Sequence, residues 1–176
     1  MSKTTTPSLS YRFSPRATLA ALGIRLQGLH LFGPVRAQVH MNQKTIIHTS
    51  VQQLYDAFIA VLAGAHGLVE INKRLRSDLG LQAAFGRQSC AEQSVVQDTL
   101  DACTAVHVEQ MHRAMDEIYQ RHSRGARHDY HRSLQVLDVD MTGMPCGPKA
   151  AFATKGYFAH QRNRRGRQMG RVLATS

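Results

Sequence analysis

The chain contains no tryptophan and only three cysteines in 176 residues. Three is an odd number and too few for a disulfide-stapled scaffold, so we expect reduced, unpaired thiols. No run of about eighteen consecutive apolar residues occurs, and a transmembrane helix is therefore not expected. The N-terminal segment is polar as far as Pro15, and the apolar run after it is too short for a secretory signal. These absences predict a cytoplasmic protein with no membrane partner.

Acidic residues are also scarce. The chain has 22 Lys and Arg against 12 Asp and Glu, which gives a net charge of +10 and a pI near 10.2. Asp140 is the last acidic residue. A strongly basic globular protein without a membrane segment most often binds a polyanion. The hydrophobic fraction of 43% is sufficient for the core of an ordinary domain.

The middle of the chain has helical periodicity. Apolar residues from Val51 to Leu62 recur at i, i+3, i+4 and i+7, which predicts an amphipathic helix. Ser50 is a suitable N-cap, and Gly64 is a suitable stop. Residues 1–40 hold several Gly among apolar clusters, which indicates short helices and loops. Further helices are predicted at about 68–75, 78–85 and, in a longer stretch with a second start at Thr104, from Cys90 until Gly125.

The period changes at Ser133. Leu134–Met141 contains β-branched residues and an alternating tail, which predicts a strand. Gly and Pro residues between Gly143 and Pro148 indicate turns. A second strand is predicted to begin at Arg171 and to run to Thr175. The fold class is therefore α+β, with an irregular or helical segment (1–49), a helical region (50–132) and the start of a β region (133–176).

Asp138 and Asp140 are the first candidates for chemistry. Residues i and i+2 of a strand face the same side, about 7 Å apart. Carboxylates on a buried strand need a partner or a metal ion, and Mg²⁺ or Mn²⁺ prefers oxygen ligands. The alternative is a strand at a sheet edge with both carboxylates in solvent, as is usual for charged side chains.

The second feature is the C-terminal basic segment, which has no acidic residue after Asp140. Arg165-Gly166-Arg167 predicts a flexible turn that presents guanidinium groups to phosphates. Such a cluster provides salt-sensitive affinity for DNA without sequence preference, unless it is only a solvated loop. The candidate DNA-binding residues of this segment are Lys155, Arg162, Arg164, Arg165, Arg167 and Arg171.

The third feature is a possible helix-turn-helix between residues 78 and 103. A short helix, a turn around Gly86 and a helix beginning near Ala91 have the spacing of that motif. Gln93, Ser94, Gln97 and Thr99 of the second helix are candidates for contacts with bases or phosphates. The alternative is ordinary helix packing, because Glu92, Asp98 and Asp101 are on the same helix.

Two motifs resemble one known family. Leu137-Asp-Val-Asp-Met-Thr-Gly-Met-Pro-Cys-Gly147 and Lys155-Gly-Tyr-Phe158 are similar to the Asp-x-Asp-x-Thr strand and the Gly-Tyr element of insertion-sequence DDE transposases. Residues 54–67 and 74–99 resemble the helical region of these enzymes. The resemblance covers about residues 50–176.

The resemblance implies an RNase H-like catalytic domain, of which residues 133–176 would be the first β-hairpin. Such domains hold two divalent metal ions between three carboxylates for phosphodiester cleavage and strand transfer. Asp140 matches the first of these carboxylates best, and Asp138 is the second choice. Mg²⁺ or Mn²⁺ would be the cofactor of a full-length member, and the terminal inverted repeats of the element would be the DNA partner, bound by a possible homodimer.

The other two carboxylates of the family follow the second strand, where this chain has no acidic residue. We therefore expect a truncated, catalytically incomplete transposase that still binds DNA. The main alternative is a standalone basic DNA-binding protein without catalysis. A basic ribosomal-type protein is less consistent with the periodic helical block in the first half.

Overall fold

The computed structural model describes residues 12–44, 47–129, 131–132, 136–147, 149–158 and 160–175. The chain is a mixture of helix and strand in the α+β order that the sequence predicts. Two short 3₁₀ turns, Leu68–Glu70 and Gly125–Arg127, connect helices or follow them. The helices are α1 (Ala17–Gly28), α2 (Gly33–Gln38), α3 (Ser50–Leu62), α4 (Ile71–Arg74), α5 (Leu79–Ala84), α6 (Gln93–Asp101) and α7 (Ala105–His122), and the strands are β1 (Val136–Pro145), β2 (Thr154–Phe158) and β3 (Gln161–Thr175).

The chain divides into two compact units, Met1–His122 and Ser123–Ser176, which we call the helical unit and the β unit. Among the described residues, the seven α-helices belong to the helical unit and the three strands to the β unit. The division into segments 1–49, 50–132 and 133–176 stays a prediction about domains. Within the described parts of the chain, no helix has both the length and the apolar character needed to cross a membrane.

Helix α3 confirms the helix predicted from apolar spacing, but its cap is one residue earlier than expected. Thr49 is the N-cap: its side chain accepts from the Gln52 N–H, and the Gln52 side chain accepts from the Thr49 N–H. This reciprocal capping box satisfies two donors at the helix start. Ser50 is buried instead, with its hydroxyl 3.2 Å from Gln43 Oε1. The predicted stop is confirmed, since Gly64 has φ +81°.

The main core of the helical unit lies between α3, α4, α5 and the start of α6. Phe85 is fully buried at its centre, with Tyr55 in edge-to-face contact at 6.2 Å between ring centroids. Helix α1 packs closely on α5 because Gly23 has no side chain: a Cβ there would lie 2.5 Å from the Phe85 ring. A second cluster joins α2 to α7 through Val35, Val39 and Ala114.

The β unit is a three-stranded antiparallel sheet with the strand order β1-β3-β2. Strand β3 pairs with β1 along Val136↔Thr175 to Pro145↔Gly166, and its first half pairs with β2. The sequence expectation was wrong in three places. The first strand continues through Gly143 and Pro145, where turns were predicted. The basic segment expected to be a loop is strand, so β3 begins at Gln161 and not at Arg171. Strand β2 was not predicted. The predicted strand residues before Val136 and the predicted turn residue Pro148 lie outside the described residues.

Candidate nucleic-acid interface

One face of the sheet carries both candidate carboxylates. Residues directly opposite each other in an antiparallel pair share a face, and faces alternate along each strand. The pairs Asp138↔Leu173 and Asp140↔Arg171 therefore place Asp138, Asp140 and Arg171 on one side. We call this side the Asp face. The structure thus has the shared orientation that the i, i+2 spacing predicts.

Asp140 is paired but open to solvent. Its Oδ1 accepts a hydrogen bond of 2.8 Å from the Met141 N–H, and its Oδ2 lies 3.9 Å from Arg171 Nη2. The side chains of Asp140 and Arg171 are 57% and 64% exposed, so this ion pair contributes at most about 1 kcal/mol. Strand β1 is at an edge of the sheet, and Asp138 is exposed too. This is the arrangement of the alternative interpretation, with both carboxylates in solvent.

The basic residues of β3 lie on defined faces. Arg165 is opposite Lys155 and Arg167 is opposite Met144, so all four are on the Asp face. Arg164 is opposite Gly156 and therefore lies on the other face. The pairing with β2 becomes irregular after Gly156, and we assign Arg162 to neither face.

These basic side chains are exposed, and two of them make a hydrogen bond within the β unit. Arg164 Nη1 donates to Gln161 Oε1 at 3.0 Å, and Arg167 Nε donates to the Ala151 carbonyl at 2.8 Å. Both residues remain exposed. Residues 123–176 contain ten Lys and Arg and three Asp and Glu, a net charge of +7 for the β unit. Most of the excess charge of the chain is therefore in its smaller unit.

Phe158 organises the opposite face, and sequence reasoning did not identify it as structural. It is 4% exposed. A Cβ at Gly166 would lie 2.5 Å from the ring, and the corresponding distances for Gly156 and Gly143 are 2.9 and 3.0 Å. The ring thus covers one glycine from each strand. The Gly-Tyr-Phe sequence, together with glycines in both other strands, was the available signal.

The helix-turn-helix interpretation fits the helical unit poorly. Helix α5 packs mainly on α1, and α6 packs on α3 and the first 3₁₀ turn. Thr99 is fully buried, and its hydroxyl donates to Gln43 Oε1, so it does not reach DNA. Ser94 and Gln97 are exposed, and Gln93 is half-buried with its backbone N–H on Asn72 Oδ1. These three stay predicted contacts.

A buried ion pair in the helical unit had no counterpart in the sequence analysis. Arg87 Nε and Nη2 donate to the two carboxylate oxygens of Asp56 at 2.7 and 3.0 Å. The Ala91 N–H also donates to Asp56, at 2.9 Å. Asp56 is fully buried, and Arg87 is 7% exposed. His48 Nδ1 lies 3.3 Å from Arg87 Nη2.

The surroundings of this ion pair change the pKa of two neighbouring side chains, His48 and Cys90. Burial lowers the pKa of His48, and the positive charge of Arg87 lowers it further, more than the negative charge of Asp56 raises it. Burial also raises the pKa of the Cys90 thiol well above its usual range, and Asp56 adds to this effect. Burial therefore disfavours the thiolate, which is the reactive form of a cysteine.

The described residues contain no group of three or more His, Cys, Asp or Glu side chains arranged to hold a metal ion. Asp138 and Asp140 provide oxygen atoms of the kind that Mg²⁺ and Mn²⁺ prefer, but two carboxylates on one strand do not complete a two-metal centre. No family model, no curated protein and no solved structure matches this chain.

Proposed function

We propose that this chain binds DNA through the Asp face of its sheet, as part of a transposase. The observation that carries the proposal is the arrangement of charge on that face. Lys155, Arg165 and Arg167 form a basic area on β2 and β3, and the same face bears Asp138 and Asp140. A DNA backbone on the basic area would bring a phosphodiester bond close to the two carboxylates.

The strand arrangement partly supports the transposase part of the proposal. The Asp-bearing strand β1 is paired antiparallel with the long strand β3, which follows it in the chain after β2. The resemblance to DDE transposases implies an antiparallel partner for the Asp-bearing strand at the start of an RNase H-like domain, but as a direct hairpin without an intervening strand. In that setting Asp140, with Asp138 as the second choice, would bind Mg²⁺ or Mn²⁺ together with carboxylates from elsewhere. The described residues of this chain do not complete such a metal centre by themselves.

The remaining components of the proposal come from the resemblance. The terminal inverted repeats of a mobile element would be the DNA, and two copies would bind two ends. Reduced thiols fit the cytoplasm, and Cys90, Cys103 and Cys146 are all free. The second candidate function is a standalone DNA-binding protein, and the same basic area favours it equally. The carboxylates are what distinguish the two.

DNA binding is tested with a labelled duplex of about 30 base pairs by fluorescence anisotropy. Arg165 and Arg164 are adjacent in sequence but lie on opposite faces, so Arg165→Gln and Arg164→Gln form a matched pair. We expect the first to weaken binding several-fold and the second to have little effect. The double variant Arg165→Gln/Arg167→Gln should lower the slope of log K against log salt by about 1.8, since each phosphate contact contributes about 0.9. Equal weakening by both single variants, or binding insensitive to salt between about 50 and 200 mM, would contradict the proposal.

The transposase part is tested separately, beginning with the genomic sequence downstream of the Ser176 codon. A coding continuation with a further Asp and Glu supports it, and the extended protein is then assayed for Mg²⁺-dependent DNA cleavage. Asp140→Ala should abolish cleavage and leave binding intact. Full cleavage activity in that variant would show that Asp140 is not the metal-binding carboxylate, and Asp138 would then be tested in the same way. Downstream DNA without such coding capacity would favour the standalone DNA-binding function.

A further inference from the structure

The helical unit has a groove that the proposed function does not use. Two adjoining clefts, of about 650 and about 410 Å³, share Gln52, Gly86 and Arg87 in their walls. Arg36 and His40 line the larger cleft, and His48 lines the smaller. We call the two clefts together the Arg87 groove. Because the two clefts meet at Arg87, an extended ligand can occupy both.

The chemistry of the groove favours an anion. The described residues that line it include no Asp or Glu, and Asp56 is fully buried behind Arg87. Side-chain amides and hydroxyl groups make up most of the remaining polar wall. The first turn of α3, a helix of thirteen residues, also lines the larger cleft. Backbone N–H groups and the positive end of the helix dipole stabilise anions at such a terminus.

Two hydrogen-bond donors in the groove wall make no hydrogen bond to the described residues, and both atoms are open to solvent. One is the hydroxyl of Tyr55, which lines the larger cleft. The other is Arg87 Nη1: Nε and Nη2 of Arg87 donate to Asp56, whereas Nη1 donates to none of the described residues. A ligand oxygen in the cleft would give both donors an acceptor.

The charged side chains around the groove are mostly basic, with Asp56 as the carboxylate behind Arg87. Arg87 and Arg76 both lower the pKa of His48, and the effect of Arg87 is larger than the opposing effect of Asp56. Arg36 adds a further charge 5.9 Å from the centre of the Tyr55 ring. A negatively charged group is therefore attracted to the groove from either end.

We propose that the Arg87 groove binds successive phosphate groups of a nucleotide chain, with Arg36 and the Tyr55 hydroxyl as direct contacts. This inference rests on the proposed function for its choice of a nucleic acid as the ligand. It adds a second contact surface, on the helical unit, to the Asp face of the β unit. The Asp56–Arg87 ion pair fixes the guanidinium in the wall of the groove, so Arg87 is prepared for binding before the ligand arrives.

The test uses the full chain and a labelled single-stranded oligonucleotide of about fifteen thymidines. Tyr55→Phe removes only the unpartnered hydroxyl, and Arg36→Gln removes an exposed charge, so both variants should fold. We expect each to weaken binding up to about tenfold, equivalent to one lost charge-assisted hydrogen bond. Arg25→Gln is the matched control, because Arg25 is an exposed arginine of the helical unit that does not line the groove. It should bind like the unmodified protein.

The outcomes separate this inference from the proposed function. If Arg25→Gln weakens binding as much as Arg36→Gln, the effect is non-specific charge and the inference is wrong. If only Arg165→Gln/Arg167→Gln weakens binding, the proposed role of the Asp face is supported and the inferred role of the Arg87 groove is wrong. If Tyr55→Phe and Arg36→Gln weaken binding and Arg165→Gln/Arg167→Gln does not, the groove is a binding site and the proposed role of the Asp face is wrong. If the unmodified chain binds no oligonucleotide, both proposals are overturned.

Discussion

Replacing Asp56 with alanine is expected to destabilise the helical unit severely. The carboxylate is fully buried and accepts three hydrogen bonds, two from Arg87 and one from the Ala91 N–H, all between 2.7 and 3.0 Å. Asp56→Ala would leave the Arg87 guanidinium charged and without its carboxylate at 7% exposure. It would also leave the Ala91 N–H without an acceptor.

The magnitude follows from these two losses. Breaking a buried ion pair by removing one partner costs about 3–5 kcal/mol, and an orphaned buried donor costs about 1–3 kcal/mol. The two costs overlap because both arise from the same cavity, so we expect about 3–5 kcal/mol in total. Small domains have free energies of unfolding of about 5–15 kcal/mol. The variant should therefore lose about a fifth or more of its stability.

The assay is urea denaturation followed by far-UV ellipticity, which reports the helical unit because all described α-helices lie there. Glu109→Ala is the control: Glu109 pairs with Arg113 at 3.4 Å, but both side chains are at least 60% exposed. Such a pair is worth about 0.2–1 kcal/mol. The reasoning is refuted if Asp56→Ala changes the free energy of unfolding no more than Glu109→Ala does.

Three further predictions follow from buried groups. Phe158→Ala should lower the free energy of unfolding of the β unit by about 3–5 kcal/mol, as for other buried phenylalanines. Hydrogen exchange of the β3 amides should then accelerate, and unchanged exchange would count against a structural role of Phe158. Cys103 and Cys146 should react with a maleimide in the folded protein, whereas buried Cys90 should react only after unfolding; mass spectrometry of the labelled peptides checks this. Because burial lowers the pKa of His48, the unfolded chain binds a proton more readily, so stability should fall as the pH drops through about 6.5. His48→Gln should reduce that dependence, and an identical pH profile would contradict it.

Local signals in the sequence were sufficient for most of the helices. Apolar spacing located α3, and the capping residue was missed only because Ser50 follows Thr49 directly. The box Thr49-Ser-Val-Gln52 was readable from the sequence, since it matches the Ser/Thr-x-x-Glu/Gln pattern. Helix α5 also has two neighbouring residues of a type that caps helices, Ser77 and Asp78, and the side chain of Asp78 is the one that accepts from the Leu81 N–H. Neighbouring cap residues are distinguished by geometry that propensity alone does not contain.

The ion pair and the basic strand were beyond prediction because they depend on contacts between distant residues. Asp56 and Arg87 are 31 residues apart, and nothing near either one in sequence indicates the other. The basic segment resembles a loop locally, with four arginines around Gly166. It becomes a strand because β1 and β2 both pair with it, and such pairing routinely overrides local propensity.

The register of β3 determines whether the proposed interface exists, and Phe158 explains why that register is fixed. A slip of one residue would move Arg165 and Arg167 off the Asp face, since side chains alternate along a strand. It would also place an arginine under the Phe158 ring instead of Gly166, where even a Cβ would lie only 2.5 Å from the ring. The glycines that appeared in the sequence as turn signals thus exclude the alternative registers. The basic area and the carboxylates share one face because the other face is closed by an aromatic ring.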